Sequence, residues 1–492
     1  MTLTAALDSA RSSLMASGIQ SSIISRNIAG ASQPGYSRKT ANLATFPGTG
    51  VYVAGIQRAA SAGLFSNVLF ATSGSAGQNA LFDGLQKIAS STVDDPQLDQ
   101  SPTAQLSKLK LALQQYADSP DNVTLAGAAV TAAKDLASAL NGATRTVQST
   151  RETADADMAT SVANINQLLS QFDAVNAAVV KGTIAGDDVT DYLDQRDSIV
   201  SKLSQEIGVT VSIRANGDAA LYTDSGLTLF DKKARTVTFA PTTAYSATLT
   251  GNPVFIDGVA VTGATSVMPV KTGKLAGLSQ LRDIATVTYQ DQLDEIARGL
   301  ISAFAETDQS TIPTLPAVAG LFTYPGAPPI PPSATVLVGL AGTITVAASV
   351  DPTLAVPGNP NLLRDGAISG NPAYSYNPAG SPGFSGRLQQ LIGNMDTSQP
   401  FDPAAQAQAS GSLIDFASSS VSWIESQRAD VNAKAEYQNT LLDRSNSALS
   451  NVNGVNMDDE MSLMLQVERT YGASSKLIST IDAMVKTLLD AV

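Results

Sequence analysis

Two apolar stripes of coiled-coil period stand at the opposite ends of this chain, and they constrain its fold more than anything between them. From residue 3 to 28, Leu3, Leu7, Ala10, Leu14, Ile24 and Ile28 fall on one line of a helix, with Ser17 and Ser21 in its middle. From 464 to 492, Met464, Val467, Tyr471, Ile478, Ile481, Val485, Leu488 and Val492 do the same, with Ser474 in the gap. Steps that alternate between three and four residues keep a seam facing a partner helix. Chain ends are ordinarily the least ordered part of a domain. Patterned helices there predict termini that pair and wait for further partners, which points to assembly rather than chemistry.

The rest of the composition narrows the chemistry. A chain of 492 residues has room for two to four domains, and 43% apolar residues are enough for real cores. Only 5% are aromatic, which suits thin helical layers. There is no cysteine, so disulfides, iron–sulfur clusters and thiolate zinc sites are excluded. There is no histidine, which removes the commonest general base and any Ser-His-Asp triad, so no enzyme is expected and no cofactor. A net charge of −13 argues against nucleic acid and anionic lipid as partners. The N-terminus lacks a charged segment followed by an apolar core, so no cleaved signal is expected. No window reads as a membrane span. The most apolar short one, residues 336–350, reads as a strand pair because Gly339, Gly342, Thr343 and Thr345 interrupt it.

Along the chain, residues 3–30 read as a helix closed by Asn27-Ile28-Ala29-Gly30, with Gly30 suited to a left-handed cap. Pro34-Gly35 fits a type II turn, and residues 38–58 read as extended. Helices are expected at 60–90, 102–118, 121–181 and 187–207, with Asp95-Pro96 and Ser119-Pro120 as punctuation. The period then changes to two: Val209, Val211 and Ile213 alternate before an Asn216-Gly217 turn, and strand-like runs follow at 220–230, 235–239, 246–262 and 266–270. Helix returns at 275–306. Residues 311–333 hold seven prolines, among them Pro313, Pro328 and Pro332, and read as a stiff irregular connection. Helices resume at 384–395, 403–450 and 456–492. The fold class is thus mainly α with a β insert. The simplest packing folds the chain back like a hairpin, with the terminal helices at one pole and the β insert at the other.

Two chemical readings are weaker. The acidic clusters Asp155/Asp157, Asp187/Asp188 and Asp458/Asp459/Glu460 could bind a divalent cation, but such groups more often sit at helix N-termini, where negative charge is favoured. Ser107-Lys108-Leu109-Lys110 and Lys271-Thr272-Gly273 match the short motifs of Ser-acylating enzymes. No Ser-Asp-Asn intervenes, and Ser107 lies in a plain amphipathic helix.

Several segments together resemble the axial proteins of the bacterial flagellum, and among them the hook-associated family. Asn27-Ile28-Ala29, Gly35-Tyr36-Ser37-Arg38, Gly50-Val51-Tyr52-Val53 and Ile56-Gln57-Arg58 resemble the N-terminal signature of rod, hook and hook-associated proteins. Leu193-Asp194-Gln195-Arg196-Asp197, the stretch from Gly273 to Asp283, and Gly454-Val455-Asn456-Met457-Asp458-Asp459-Glu460 resemble the hook-associated family more narrowly. The resemblance implies export through the flagellar type III apparatus without a cleaved signal. It also implies a ring of subunits placed between the hook protein and a second junction protein that leads to the flagellin filament, and an export chaperone on the C-terminal coil. Another axial subunit, a hook or distal rod protein, is the alternative; the long helices at 121–181 and 403–450 disfavour it.

The expected organisation is a terminal coiled-coil polymerisation domain (residues 1–58 and 455–492), a helical shaft (59–208, 275–310 and 384–454), an outer β domain (209–274) and a Pro-rich irregular insertion (311–383). The expected assembly interface comprises Leu3, Leu7, Leu14, Ile24 and Ile28 against Met464, Tyr471, Ile478, Ile481, Val485 and Leu488. Asn27, Gly35, Tyr36 and Arg38 are expected to fix the bend that leaves the first helix. The termini are expected to be mobile in the free chain and to fold on assembly.

Overall fold

The structure is a computed structural model that describes residues 3–46, 50–92, 101–327 and 329–490. Asp95-Pro96, Gly48, Pro328 and Val492 lie outside the described residues. In chain order the first elements are α1 (Leu3–Gly30), the hairpin β1 (Lys39–Phe46) and β2 (Gly50–Arg58), α2 (Ala62–Thr92), α3 (Pro102–Asp118), α4 (Val123–Ala185) and α5 (Thr190–Glu206). A β insert follows. It has an antiparallel sheet of β3 (Val209–Ile213), β4 (Ala219–Thr223), β5 (Thr228–Asp231) and β6 (Lys233–Ala234), and a smaller one of β7 (Val237–Thr238), β8 (Phe255–Ile256) and β9 (Val259–Ala260). Helix returns with α6 (Lys274–Gln280), a π turn (Leu281–Ala285) and α7 (Thr286–Ala303). The described residues of 304–385 are irregular apart from the short pair β10 (Phe322–Thr323) and β11 (Thr345–Val346), brief 3-10 turns and α8 (Leu362–Asp365). The chain closes with α9 (Gly386–Asp396), β12 (Gln399–Pro400), β13 (Ser410–Gly411), α10 (Leu413–Asn453) and α11 (Met457–Asp490).

The mainly α class with a β insert therefore holds. Local chemistry sets the helix ends. Ser101 accepts from the Ala104 N–H and Pro102 follows it, so α3 starts where Pro is harmless. Asn122 caps α4 through Thr124 and Leu125, and Gly186 ends it at φ 78°. By length and hydropathy α4 would pass as a membrane span. Its apolar line, from Leu136 and Leu140 through Met158 to Phe172, instead forms the centre of the core, against α3, α5 and α7.

Several expectations are corrected. Gly30 does not take a left-handed conformation; it is small because the Tyr36 ring rests on its Cα, where a Cβ would lie 2.6 Å from the ring. Gly35 takes the positive φ of 81° that the Pro34-Gly35 turn requires, and the Tyr36 N–H closes that turn on Gln33 O. Residues 336–350 are not a strand pair: only Thr345 and Val346 pair, with β10, and the rest is 3-10 turns. Residues 246–254 and 266–270 form no strand, and the last shaft helix starts at Leu413, where Ser412 accepts from the Asp415 N–H.

The β insert also sits elsewhere than the hairpin picture placed it. Its first turn packs beside the end of α4, where Arg196 donates to Gly217 O at 2.6 Å. The far end of the shaft, the α3–α4 turn, is covered by the irregular excursion instead: Tyr116 donates to Asn361 and Arg364 to Pro120 O.

With few ladders of its own, the excursion hangs on carboxylates. Asp294 on α7 accepts from Gly339 N (2.8 Å) and Ala341 N (2.7 Å). Asp402 takes Val336 N, Glu306 takes Ile368 N, and Asp308 takes Ser310, Thr314 and Leu315 N. These acids titrate in opposite directions. Hydrogen bonds from Ser310, Leu315 and Thr314 hold Asp308 well below the carboxylate range, and the Lys134 ammonium holds Asp351 at about 2. Burial pushes Asp294 up to about 7 against its N–H donors, and also raises Glu306. A lowered acid stabilises the fold above its ordinary pKa of about 4 and ceases to do so as pH falls toward 2. A raised acid stabilises below about 4 and ceases to as pH climbs toward 7. The excursion should therefore be most stable near pH 4. Hydrogen exchange over 336–369, corrected for intrinsic rates, should be slowest there and faster at pH 2 and pH 7. In Asp294→Asn the change between pH 4 and 7 should shrink; an unchanged profile would show that Asp294 does not set it.

Candidate assembly site at the joint of the terminal helices

α1 and α11 run antiparallel against each other: Ser13 meets Ser474 (3.0 Å), Ser21 meets Met464 (3.4 Å), and Asn27 meets Glu460 (3.0 Å). Of the expected seam residues, Ile24 and Ile481 are buried, and Leu14, Ile28, Met464 and Ile478 are half-buried. Leu3, Leu7, Tyr471, Val485 and Leu488 remain largely exposed, Leu488 at 64%. Two helices cover only one side of each other, and only Glu460, Val467, Ser474 and Ile481 of α11 are buried. Sequence reasoning missed a second face of α1. Ala16 and Ile23 are also buried, and the β1–β2 hairpin packs on α1; the Val51 N–H there donates to Ser12 Oγ at 3.2 Å. An Ala–Ile pair seven residues apart was the signal that could have found it.

At the Asn27 end, the helix pair meets the shaft in a polar joint. Asn27 is 1% exposed and uses both ends of its amide: Oδ1 accepts from Lys39 N (2.9 Å) and from the Tyr36 hydroxyl (3.0 Å), while Nδ2 donates to Lys39 O (2.8 Å) and Glu460 Oε2 (3.0 Å). Glu460, also 1% exposed, takes Arg38 Nε on its other oxygen at 2.6 Å. The Arg38 N–H donates to Asn453 O at the end of α10. Asn27, Tyr36 and Arg38 thus lie together, with the Gly35 turn directing Tyr36 back onto α1.

The other half of the joint is a set of acids recurring every third residue: Asp188 just before α5, then Asp191, Asp194 and Asp197 on it. Each holds a base from the N-terminal segment. Arg26 pairs with Asp188 (3.0 Å) and Asp191 (2.6 Å). Lys39, its side chain fully buried, pairs with Asp191 and with Asp194 (3.3 Å) and sits over the Tyr36 ring. Arg58 spans Asp194 (3.0 Å) and Asp197 (2.7 Å). Burial disfavours the Asp188 charge, but hydrogen bonds from Thr190 and Arg26 outweigh it and hold the carboxyl low. Burial dominates at Asp197, raising it against the pull of Arg58, and pushes the Tyr36 hydroxyl up to about 12. Arg196, between these acids, faces the other way and ties Asn176 of α4 and Gly217 of the β insert to α5.

The residues behind the two weaker chemical readings are engaged within the fold. Ser107 donates to Thr103 O within α3, Lys110 pairs with Asp396, and Thr272 donates to Asp224. Asp155 is not at a helix start; it is buried in the middle of α4 against Arg282. Among the described residues no three potential ligands converge as a metal site would require. What the joint can do is mechanical. It ties a partly covered helix pair to α5 and to the end of α10.

The profile of the flagellar hook-associated protein FlgK helical domain matches residues 97–312. That of the flagellar basal body rod FlgEFG protein C-terminal region matches residues 448–491. Flagellar hook-associated protein 1 of Salmonella typhimurium is 26% identical over 314 residues, covering 61% of this chain and 56% of that protein. The Escherichia coli K12 protein of the same name is 24% identical over 317 residues with the same coverage, and that of Bacillus subtilis is 21% identical over 358 residues, covering 68% and 65%. The chain thus spans little more than half the length of the first two relatives. A solved structure of the flagellar hook junction protein FlgK from Burkholderia pseudomallei aligns with a TM-score of 0.41 at 22% identity, over 54% of this chain and 47% of that one.

Proposed function

We propose that this chain, a member of the flagellar hook-associated protein 1 family, is a structural subunit of the bacterial flagellum that forms the junction between hook and filament. It works by packing rather than by catalysis. The observation that carries this reading is the joint. Three segments far apart in sequence, 26–58, 188–197 and 460, meet in one ionic cradle whose effect is to aim the α1–α11 pair. Residues 1–58 and 455–492 then act as the polymerising coiled coil. The helices of 59–208, 275–310 and 384–454 act as the shaft, with 209–274 and 311–383 as outer decorations.

In this reading the chain leaves the cell through the flagellar type III apparatus, with a chaperone holding the C-terminal coil. It assembles as a ring on the hook protein and is followed by the second junction protein. The exposed apolar residues of α11 support this, because a free helix pair leaves them in water. Deletion of the gene followed by electron microscopy tests the proposal. Hooks without filaments, with flagellin lost to the medium, are expected; missing hooks would move the chain to a rod or hook role.

A further inference from the structure

α11 carries a second heptad line that stays exposed among the described residues. Leu463, Thr470, Leu477 and Met484 recur every seven residues, and Leu488 continues the line one turn later. Leu463, Leu477, Met484 and Leu488 are 37%, 56%, 54% and 64% exposed. Gln466, Ala473 and Thr480 fill the same flank, so it carries no charge from 463 to 488 in a chain of net charge −13. An uncharged heptad stripe in water is the seam of a helix contact still to be made.

The opposite flank of the same helix pair is hollow. Ser17, Gly18 and Ser21 of α1 face Val467, Glu468, Tyr471 and Gly472 of α11 around a depression of about 340 Å³. Gly18 and Gly472 lie in helix interiors without positive φ, and a Cβ added to either would meet nothing within 4 Å. Glycine at such a place costs about 1 kcal/mol against alanine, and no contact among the described residues requires it. At about 100° per residue, Gly472 and Leu477 project roughly 140° apart around α11, so hollow and stripe cannot meet within one molecule.

We infer that the Leu463–Leu488 stripe of one copy docks along the Gly18–Gly472 hollow of the next, with Leu477 as a knob in that hollow. This rests on the reading of the chain as a polymerising subunit and specifies its lateral contact. A stripe and a hollow on opposite flanks make a heterologous, head-to-tail contact, which closes into a ring or runs on as a helix. The chain therefore supplies both halves of its own interface.

The absence of native cysteine gives a clean test. The full chain carrying both Gly18→Cys and Leu477→Cys is expected to give a disulfide ladder of dimers, trimers and higher species on mild oxidation. This should hold in sheared flagella and in the concentrated purified chain, while each single variant gives at most a trace of dimer. A double variant that enters flagella yet stays monomeric on oxidation overturns the contact, as does strong dimerisation by Leu477→Cys alone, which would mean stripe against stripe. If the chain is absent from flagella, the junction reading fails, and the purified chain then decides the contact by itself.

Discussion

Asp155→Ala should lower the stability of the shaft by about 3–5 kcal/mol, the range for breaking a buried ion pair from one side. Both partners are fully buried, and Arg282 Nη1 lies 2.5 Å from Asp155 Oδ1. The carboxylate also takes Thr242 N (2.6 Å) and the Tyr245 hydroxyl (2.7 Å), so it fastens the loop of the β insert to α4. Arg282 keeps Asp283 and Asn252 O after the change, and Gly251 leaves room for its guanidinium. The damage should therefore concentrate at Thr242 and Tyr245. Arg151 reinforces the same loop through Ser246 O and Leu249 O. Asp155→Asn, which keeps one acceptor oxygen, should lose less. Denaturant titration gives the magnitude, and hydrogen exchange over 242–252 gives the place. A loss under about 1 kcal/mol with unchanged exchange there would mean that the pair is replaceable.

That clasp also marks the limit of what the sequence discloses. Helix α3 is legible to the residue because its signals are local: Ser101-Pro102 opens it and Ser119-Pro120 closes it. α4 is legible because an apolar line recurs along it from Ala126 to Val179. Asp155 and Arg282 are 127 residues apart, and nothing near either announces the other. The glycines of the 273–283 segment are similarly silent. Gly277 is small because α2 crosses it, where a Cβ would lie 2.1 Å from Gly77 O, and Gly273 donates its N–H to Ser73 O. Periodicity reports which face of an element is apolar, not which element covers it. It gave the stripes of α1 and α11 but not the hairpin on α1, nor how little of α11 a single partner helix covers.

The irregular excursion fails to show for a different reason. Its order comes from carboxylates on α7 and near α9 that accept backbone N–H groups, a device with no period. At the joint, by contrast, the residues were visible but their roles were not. Asn27, Tyr36 and Arg38 stand out near a turn, yet Glu460, the partner of Asn27 and Arg38, reads as one of three acids at a helix start. The spacing of Asp188, Asp191, Asp194 and Asp197 was open to inspection. Only the fold shows that three bases from another segment arrive on it.

Glu460→Ala should abolish or sharply reduce filament formation while leaving most of the shaft intact. The substitution strips the acceptor from Arg38 Nε and from Asn27 Nδ2. Arg38 is one-third exposed and can turn to water, so its share of the loss is small. Asn27 is buried and keeps Lys39 O for one N–H of its Nδ2, and the other N–H, left unsatisfied, costs about 1–3 kcal/mol. That is modest for the whole chain but large for a helix pair with four buried residues on α11. The pair should remain helical in part, yet lose its fixed direction on the shaft. If the chain assembles as the proposed ring, the contact depends on where each helix pair points, and a small energetic loss then becomes a large loss of assembly. Glu460→Gln keeps one oxygen and should be intermediate; Arg38→Lys, which cannot place an N–H as the guanidinium does, should be mild. The measurement is filament number per cell, read beside the amount of the chain in the medium. Expected is a variant that is made and exported but not retained at the hook tip, with hydrogen exchange in the purified chain faster across α1 and α11 and unchanged across α3 and α4. Wild-type filament numbers from the alanine variant would show that the helix pair finds its direction without this joint.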